Sequence, residues 1–295
     1  MVSVEKSPAW FEKTLEDIRS LKVQGAEEIA RAGVVAAARL VAERRDVDAG
    51  VKALLATRPT EPMLRNALAA FRRAVKLSTP VEAARKVLRH LDDADGRIAA
   101  YAADLITPGH FYYTHCHSGT VVKAFLEARA LGAKFAVRNT ETRPLYQGRK
   151  TAAELAAAGI PVVHVVDSAA RVALKGCAAV FFGADALLAD GTVVNKIGSE
   201  MVAELARNRS IPVYVLANSW KYDARDASAF KTSLEHRDPA EVWDSPPKGV
   251  RVVNEAFELV NPKLITGIIT EYGVRDPRSA ILEIQRHHSW LADDG

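Results

Sequence analysis

The chain has 295 residues, a length that holds one large domain or two ordinary ones. Apolar residues make up 48% and charged residues 26%, which excludes a disordered chain and a fibrous one. Lys and Arg number 40 against 36 Asp and Glu, for a net charge of +4. That excess is too weak for a nucleic-acid face but suits a small anionic ligand. Two cysteines, Cys116 and Cys177, cannot build a disulfide framework and fit a reducing cytoplasm. The opening Met-Val-Ser-Val-Glu-Lys carries charge where a secretory signal needs an apolar run. No stretch approaches the roughly 20 apolar residues of a membrane span. The expectation is a soluble, cytoplasmic protein with neither nucleic acid nor membrane as partner.

Residues 1–106 read as a helical domain. Trp10, Leu15, Ile18 and Leu21 recur at helical spacing, as do Ile29, Val34, Ala37, Leu40 and Val41. Arg58-Pro59-Thr60-Glu61-Pro62 breaks the pattern, since proline disfavours helical geometry in the residue before it. A helix from about Met63 to Val75 follows. Thr79-Pro80-Val81-Glu82 then opens a helix that runs to about Ala103.

Residues 107–295 have another texture. Apolar runs of strand length, Phe111–Thr114, Phe135–Val137, Val162–Val166, Ala179–Phe182 and Val213–Leu216, alternate with helical segments. Those segments are Thr120–Leu131, Thr151–Ala158, Ala169–Lys175 and Ile197–Asn208. Further strands are expected near Val250–Val253 and Leu264–Ile269. The alternation predicts a Rossmann-like α/β domain with a mainly parallel sheet.

In such sheets ligands bind at the carboxyl ends of strands. The first strand is followed there by His115-Cys116-His117-Ser118-Gly119-Thr120, and the second by Arg138-Asn139-Thr140-Glu141-Thr142-Arg143. Asp167-Ser168, Gly183-Ala184-Asp185 and Ala217-Asn218-Ser219-Trp220-Lys221 follow the next three. Cys116 lies between two histidines just before a helix start, and a helix N-terminus and protonated histidines both favour thiolate. Asp185, after Val180-Phe181-Phe182, is placed for the partial burial that lets a carboxyl act as an acid. The Ser118–Thr120 amides can meet a phosphate, with Arg138, Arg143, Lys196 and Lys221 as clamping cations. His115, Cys116 and His117 are adjacent and point to different sides, so no metal site is expected.

Five motifs in order carry a resemblance. They are Thr114-His115-Cys116-His117-Ser118, Glu141–Gly148, Gly183–Leu187, Val194-Asn195-Lys196-Ile197-Gly198 and Leu264–Glu271. Together they resemble the superfamily of archaeal-type ribose-1,5-bisphosphate isomerase, methylthioribose-1-phosphate isomerase and the regulatory alpha, beta and delta subunits of translation initiation factor 2B. The resemblance implies an aldose-ketose isomerase acting on a phosphorylated pentose, with Cys116 and Asp185 transferring protons and no metal or redox cofactor. His117-Ser118 after the cysteine resembles the bisphosphate enzymes, and Arg58, Ser118, Gly119, Thr120, Asn195, Lys196 and Lys221 match their ligand contacts. One departure is Gln24-Gly25-Ala26-Glu27, where the isomerases carry Arg-Gly-Ala-Gly; a cation is lost and an anion gained, with Lys22 or Arg31 as compensation. The resemblance also implies a homodimer or homohexamer, with AMP as a candidate activator. Sequence leaves open which of Cys116 and Asp185 is the base at each step. It also leaves open another sugar 1-phosphate as substrate, or a noncatalytic subunit that senses sugar phosphate or nucleotide.

Overall fold

The computed structural model describes residues 7–232 and 234–291. Two compact units divide between Asp92 and Asp93. The division falls inside a long helix, upstream of the Thr107–His110 turn that separates the two textures of the sequence.

The first unit contains α1 (Ala9–Arg19), α2 (Ala26–Ala42), α3 (Val47–Thr57), α4 (Pro62–Ala74) and the start of α5 (Pro80–Ala103). Each start has a local cause. Asp46 caps α3 by accepting from Ala49 N at 2.9 Å. Pro62 stands at the first position of α4, where its missing N–H costs nothing. Thr79 and Glu82 form a reciprocal capping box: Thr79 N donates to Glu82 Oε2 at 3.1 Å and Glu82 N to Thr79 Oγ1 at 3.3 Å. The buried faces meet through Phe11, Leu15, Ile18, Ile29, Val34, Leu40, Leu54, Leu64, Leu68 and Phe71.

The second unit continues α5 and then runs β1 (Phe111–Thr114), α6 (Gly119–Ala130), β2 (Ala136–Thr140), α7 (Gln147–Ala157), β3 (Val162–Val165), α8 (Ala170–Ala173) and β4 (Cys177–Phe182). A hairpin of β5 (Ala186–Leu188) and β6 (Val193–Lys196) follows, then α9 (Ser199–Arg207), β7 (Val213–Leu216), β8 (Tyr222–Asp223) and α10 (Ala227–Lys231). The chain closes with β9 (Phe257–Val260), β10 (Gly267–Thr270), β11 (Gly273–Arg275) and α11 (Pro277–His287). No helix among the described residues is long and apolar enough to cross a membrane.

The main sheet has the order β11-β10-β7-β4-β1-β2-β3 and is parallel except for β11. The chain starts at β1, winds outward to β3, returns to β4 on the other side of β1 and winds outward again. The winding therefore reverses between β1 and β4, and the crevice at the carboxyl ends of those two strands is where an open α/β sheet binds its ligand. Tyr112, Phe125, Val137, Phe181, Leu216 and Ile269 fill the core beneath that rim.

Two expectations need correction. Val250–Val253 forms no strand; Val250 and Val253 are about half exposed, and the strand of that region is β9, at Phe257–Val260. A second sheet, β8-β5-β6-β9, was not expected at all. It has its own small core of Ala186, Leu188, Val194 and Phe230. The apolar run Leu264–Ile269 enters β10, an interior strand between β7 and β11, so its apolarity is accounted for inside its own sheet.

Candidate active site

Cys116 follows β1 and Asp185 follows β4, so the two stand on either side of the reversal in winding. The β1–β4 register pairs Thr114 with Phe181. Beyond the paired strands the two loops stay in contact at Gly183, where an added Cβ would lie 2.6 Å from Ser118 Oγ and 2.7 Å from its Cβ. Any larger residue at 183 would push the Cys116 turn away from the Asp185 loop.

The Cys116 turn is held from several sides. Cys116 has φ +64°, a left-handed conformation uncommon for a non-glycine residue. Its N–H donates to Thr142 Oγ1 at 3.0 Å, and its carbonyl accepts from Thr151 Oγ1 at 2.9 Å. Thr142 is also left-handed, and Asp167 holds it by accepting from Thr142 N and Arg143 N at 2.9 and 2.8 Å. Strain of this kind persists where the surroundings over-determine it, and it clusters at functional sites.

The two histidines do not act as the sequence suggested. His115 is buried, with Nε2 2.8 Å from Ile197 O and Nδ1 2.8 Å from Thr140 Oγ1. A carbonyl can only accept, so Nε2 carries the proton and Nδ1 accepts from the threonine. Burial lowers the His115 pKa, and burial followed by the charge of Lys150 takes His117 down to about 4. Both rings are neutral near pH 7 and do not draw Cys116 toward thiolate. Burial pushes the Cys116 thiol up to about 11, the negative charges of Asp185 and Asp167 add to that, and Lys196 and the His117 N–H oppose it. The cation that works on the thiol is therefore Lys196.

Asp185 opens the second sheet: its N–H donates to Val194 O at 2.8 Å. β5 runs antiparallel to β6 and parallel to β8, which sets Asp185, Lys196 and Lys221 at one end of that sheet. Lys196 is paired with Phe257 across the β6–β9 ladder and lies 4.3 Å from its ring centre. Lys221 is buried and donates through Nζ to Ala184 O at 2.6 Å, one residue from Asp185. The buried Glu271 fixes the Lys221 loop by accepting from Ser219 N at 3.0 Å and from the Ser219 hydroxyl. Burial raises the Glu271 pKa.

Ser118 caps α6, accepting from Val121 N at 3.4 Å. The N–H groups of Gly119 and Thr120 open that helix with no carbonyl four residues back inside it. The Thr120 hydroxyl, by contrast, is turned to the buried carboxylate of Asp95 at 3.4 Å, so only its backbone is available to a ligand. The Asn195 amide donates to Ser199 Oγ at 2.9 Å and shapes the turn after Lys196. Arg138 is not a clamping cation: it donates to Ala173 O and Lys175 O and stacks 3.9 Å from the Phe111 ring. Arg143 ties Tyr146 Oη and Val242 O, at 2.9 and 3.1 Å.

Gln24, Gly25, Ala26, Glu27 and Arg58 belong to the first unit. Gly25 (φ +89°) precedes α2, and Ala26 and Glu27 open it. Glu27 Oε1 accepts from Arg31 Nε at 2.8 Å, and Arg31 also reaches Asp92. Arg31 is thus matched by two carboxylates, and Lys22 lies 3.4 Å from Asp17, which weakens both as substitutes for the missing arginine. Arg58 follows α3, with Nη2 3.9 Å from Glu61 Oε1.

A model of the Initiation factor 2 subunit family matches residues 22–277. The chain belongs to that family. The matched span takes in every candidate site residue from Gln24 to Lys221. Ribose 1,5-bisphosphate isomerase of Pyrococcus furiosus is 34% identical over 93% of this chain and 93% of its own length. Methylthioribose-1-phosphate isomerase of Pelotomaculum thermopropionicum is 36% identical over 89% of this chain and 82% of its own. The solved structure of the Pyrococcus horikoshii OT3 translation initiation factor eIF-2B has a TM-score of 0.81 at 27% identity, covering 93% of this chain and 100% of that one. That of 5-methylthioribose 1-phosphate isomerase from the same organism has a TM-score of 0.77 at 27% identity, covering 94% and 88%.

Proposed function

We propose that this chain converts ribose 1,5-bisphosphate to ribulose 1,5-bisphosphate, with Cys116 and Asp185 moving the protons. The family relatives named as isomerases support an isomerase that acts on a sugar phosphate. The choice of the bisphosphate follows the greater likeness to those enzymes at His117-Ser118. The reading rests on one observation: Cys116 and Asp185 follow the two strands between which the sheet reverses, in loops that touch at Ser118 and Gly183.

An aldose 1-phosphate has no free aldehyde, so its ring must open by breaking the bond from C1 to the ring oxygen. Asp185, as the acid, protonates that oxygen while the Cys116 thiolate takes the proton from C2. The C2–H electron pair becomes the C1–C2 double bond of an enol phosphate. The Cys116 thiol then returns its proton to C1, the 2-hydroxyl proton passes to Asp185, and a 2-ketose 1-phosphate leaves the thiolate and protonated carboxyl that began the cycle, a pair the resting thiol and carboxylate reach by passing one proton from Cys116 to Asp185. The charge coupling suits this cycle. Asp185 as a carboxylate pushes the thiol up; once it holds the proton that push is gone, and Lys196 favours thiolate. Lys196, Lys221 and the Gly119 and Thr120 amides hold phosphate in the second unit; Arg58 and Gln24–Glu27 are assigned to the ligand by the family resemblance alone. The same reading carries a homo-oligomer and activation by AMP.

The decisive experiment incubates the purified chain with ribose 1,5-bisphosphate or methylthioribose 1-phosphate, with and without AMP, and identifies the product. Ribulose 1,5-bisphosphate is expected from the first. Turnover of methylthioribose 1-phosphate alone would move the substrate assignment, and binding without turnover of either would favour a noncatalytic sensor.

A further inference from the structure

One residue at the rim is not used by the scheme above. Asn218 follows β7, the strand beside β4. The register pairs Val215 with Phe182, so Asn218 and Asp185 each stand three residues past paired positions on neighbouring strands. Asn218 is 1% exposed. Its Oδ1 accepts from Trp220 N at 2.9 Å, and its carbonyl accepts from Lys221 N at 2.9 Å. The first contact settles the amide orientation, because a backbone N–H requires the oxygen. Nδ2 is buried and has no protein acceptor. A buried donor without a partner bears its full desolvation cost, so such groups call for an explanation.

The side chain is also fixed. Ser219 is clamped by Glu271 on one side, and on the other Lys221 reaches Ala184 O at 2.6 Å. The spare donor is therefore held in the loop that borders the Asp185 turn. Lys196 and Lys221 supply charge for phosphate, whereas a neutral amide matches a neutral oxygen and fixes its orientation rather than its charge.

We propose that Asn218 is a specificity-determining residue that donates through Nδ2 to a hydroxyl of the bound sugar. The assignment rests on the functional reading above. A site built around a buried donor rejects analogues that lack the matching oxygen, because the donor is then left unpaired.

The test compares wild type with Asn218→Ala, and with Asn218→Ser, whose hydroxyl retains an acceptor for Trp220 N but is shorter. Each is assayed for kcat/KM on ribose 1,5-bisphosphate and its 3-deoxy counterpart, and for inhibition by the 2-deoxy counterpart. On the full substrate both variants should lose about ten- to hundred-fold. Against one of the two deoxy compounds, variants and wild type should agree within about twofold, because the contact is already gone. Unchanged kcat/KM on the full substrate, or an equal loss with every compound, would overturn the assignment while leaving the isomerase reading intact. A wild-type chain that neither turns over nor binds these sugars would overturn both.

Discussion

At the scale of single residues, the proposed site pairs a thiol with a carboxylate that acts on it, rather than a thiolate made by histidines. Cys116→Ser and Asp185→Asn should each lower isomerisation by about 10²–10⁴-fold, the usual worth of general acid–base help, with little change in thermal midpoint. Near-wild-type turnover in either purified variant would contradict the scheme. The thiol's chemistry gives a second expectation. Its pKa is raised to about 11, so the thiol form dominates near neutral pH. In a Cys177→Ser background, alkylation by iodoacetamide should be slow at pH 8 and accelerate as pH rises toward 11. Asp185→Asn removes a charge that disfavours thiolate and should speed the reaction; Lys196→Met should slow it. Alkylation at pH 8 as fast as that of a small free thiol would show that burial does not control Cys116. Stability has the matching sign. The unfolded chain loses this proton first, so the thiol's contribution to stability declines from its ordinary range up to about pH 11. The sequence singled out Cys116 as the candidate, yet it placed the helping charge on its two histidine neighbours. His115 and His117 are adjacent in the chain, but burial holds them neutral. Lys196 is far in sequence and arrives through the second sheet.

At the scale of elements, two glycines separate backbone geometry from ligand contact. A Cβ at Gly148 would lie 1.8 Å from Thr140 O, which is backbone and cannot swing aside. Gly148→Ala should therefore move the start of α7 off the end of β2 and destabilise the chain by about 1–3 kcal/mol or more. Gly119 has open space around its notional Cβ. Gly119→Ala should leave stability equal or raise it by about 0.4–1 kcal/mol, yet weaken phosphate binding if the ligand approaches that amide. Thermal melts beside a binding isotherm check both, and unaltered affinity in Gly119→Ala would remove the amide from the phosphate site. What was legible here follows from length and burial. β1 and β7 are apolar runs with turns at both ends, and their bounds match the expectation. The second sheet was not legible, since β5 and β8 have only three and two residues, β6 and β8 carry Asn195, Lys196 and Asp223, and two of the pairings are remote in sequence. Val250–Val253 was misread for the opposite reason: it has the composition of a strand and no strand to pair with. The signal for α3 was present in Asp46, which caps it.

At the scale of the whole molecule, the apolar Leu264–Glu271 run gives no argument for a partner, since β10 lies inside its own sheet. A homo-oligomer is expected from the family resemblance instead, and the sheet leaves an edge for it: β3 ends the main sheet, with Val163 47% and Val166 52% exposed. Light scattering at micromolar concentration should give at least twice the 32.0 kDa of one chain. A stable mass of one chain would reject the association, and Val163→Lys or Val166→Lys should leave the mass unchanged if the β3 edge takes no part.

The depth at which the chemistry sits has a consequence for descent. The aromatic and aliphatic groups that hold the main sheet together, Tyr112, Val137, Phe181 and Leu216, end below the loops that bear Cys116 and Asp185. Replacing the thiol or the carboxylate removes no core packing. A descendant lacking either side chain would thus keep the packing that holds its main sheet together. The same independence lets one architecture be shared by proteins that bear the names of isomerases and of translation factors.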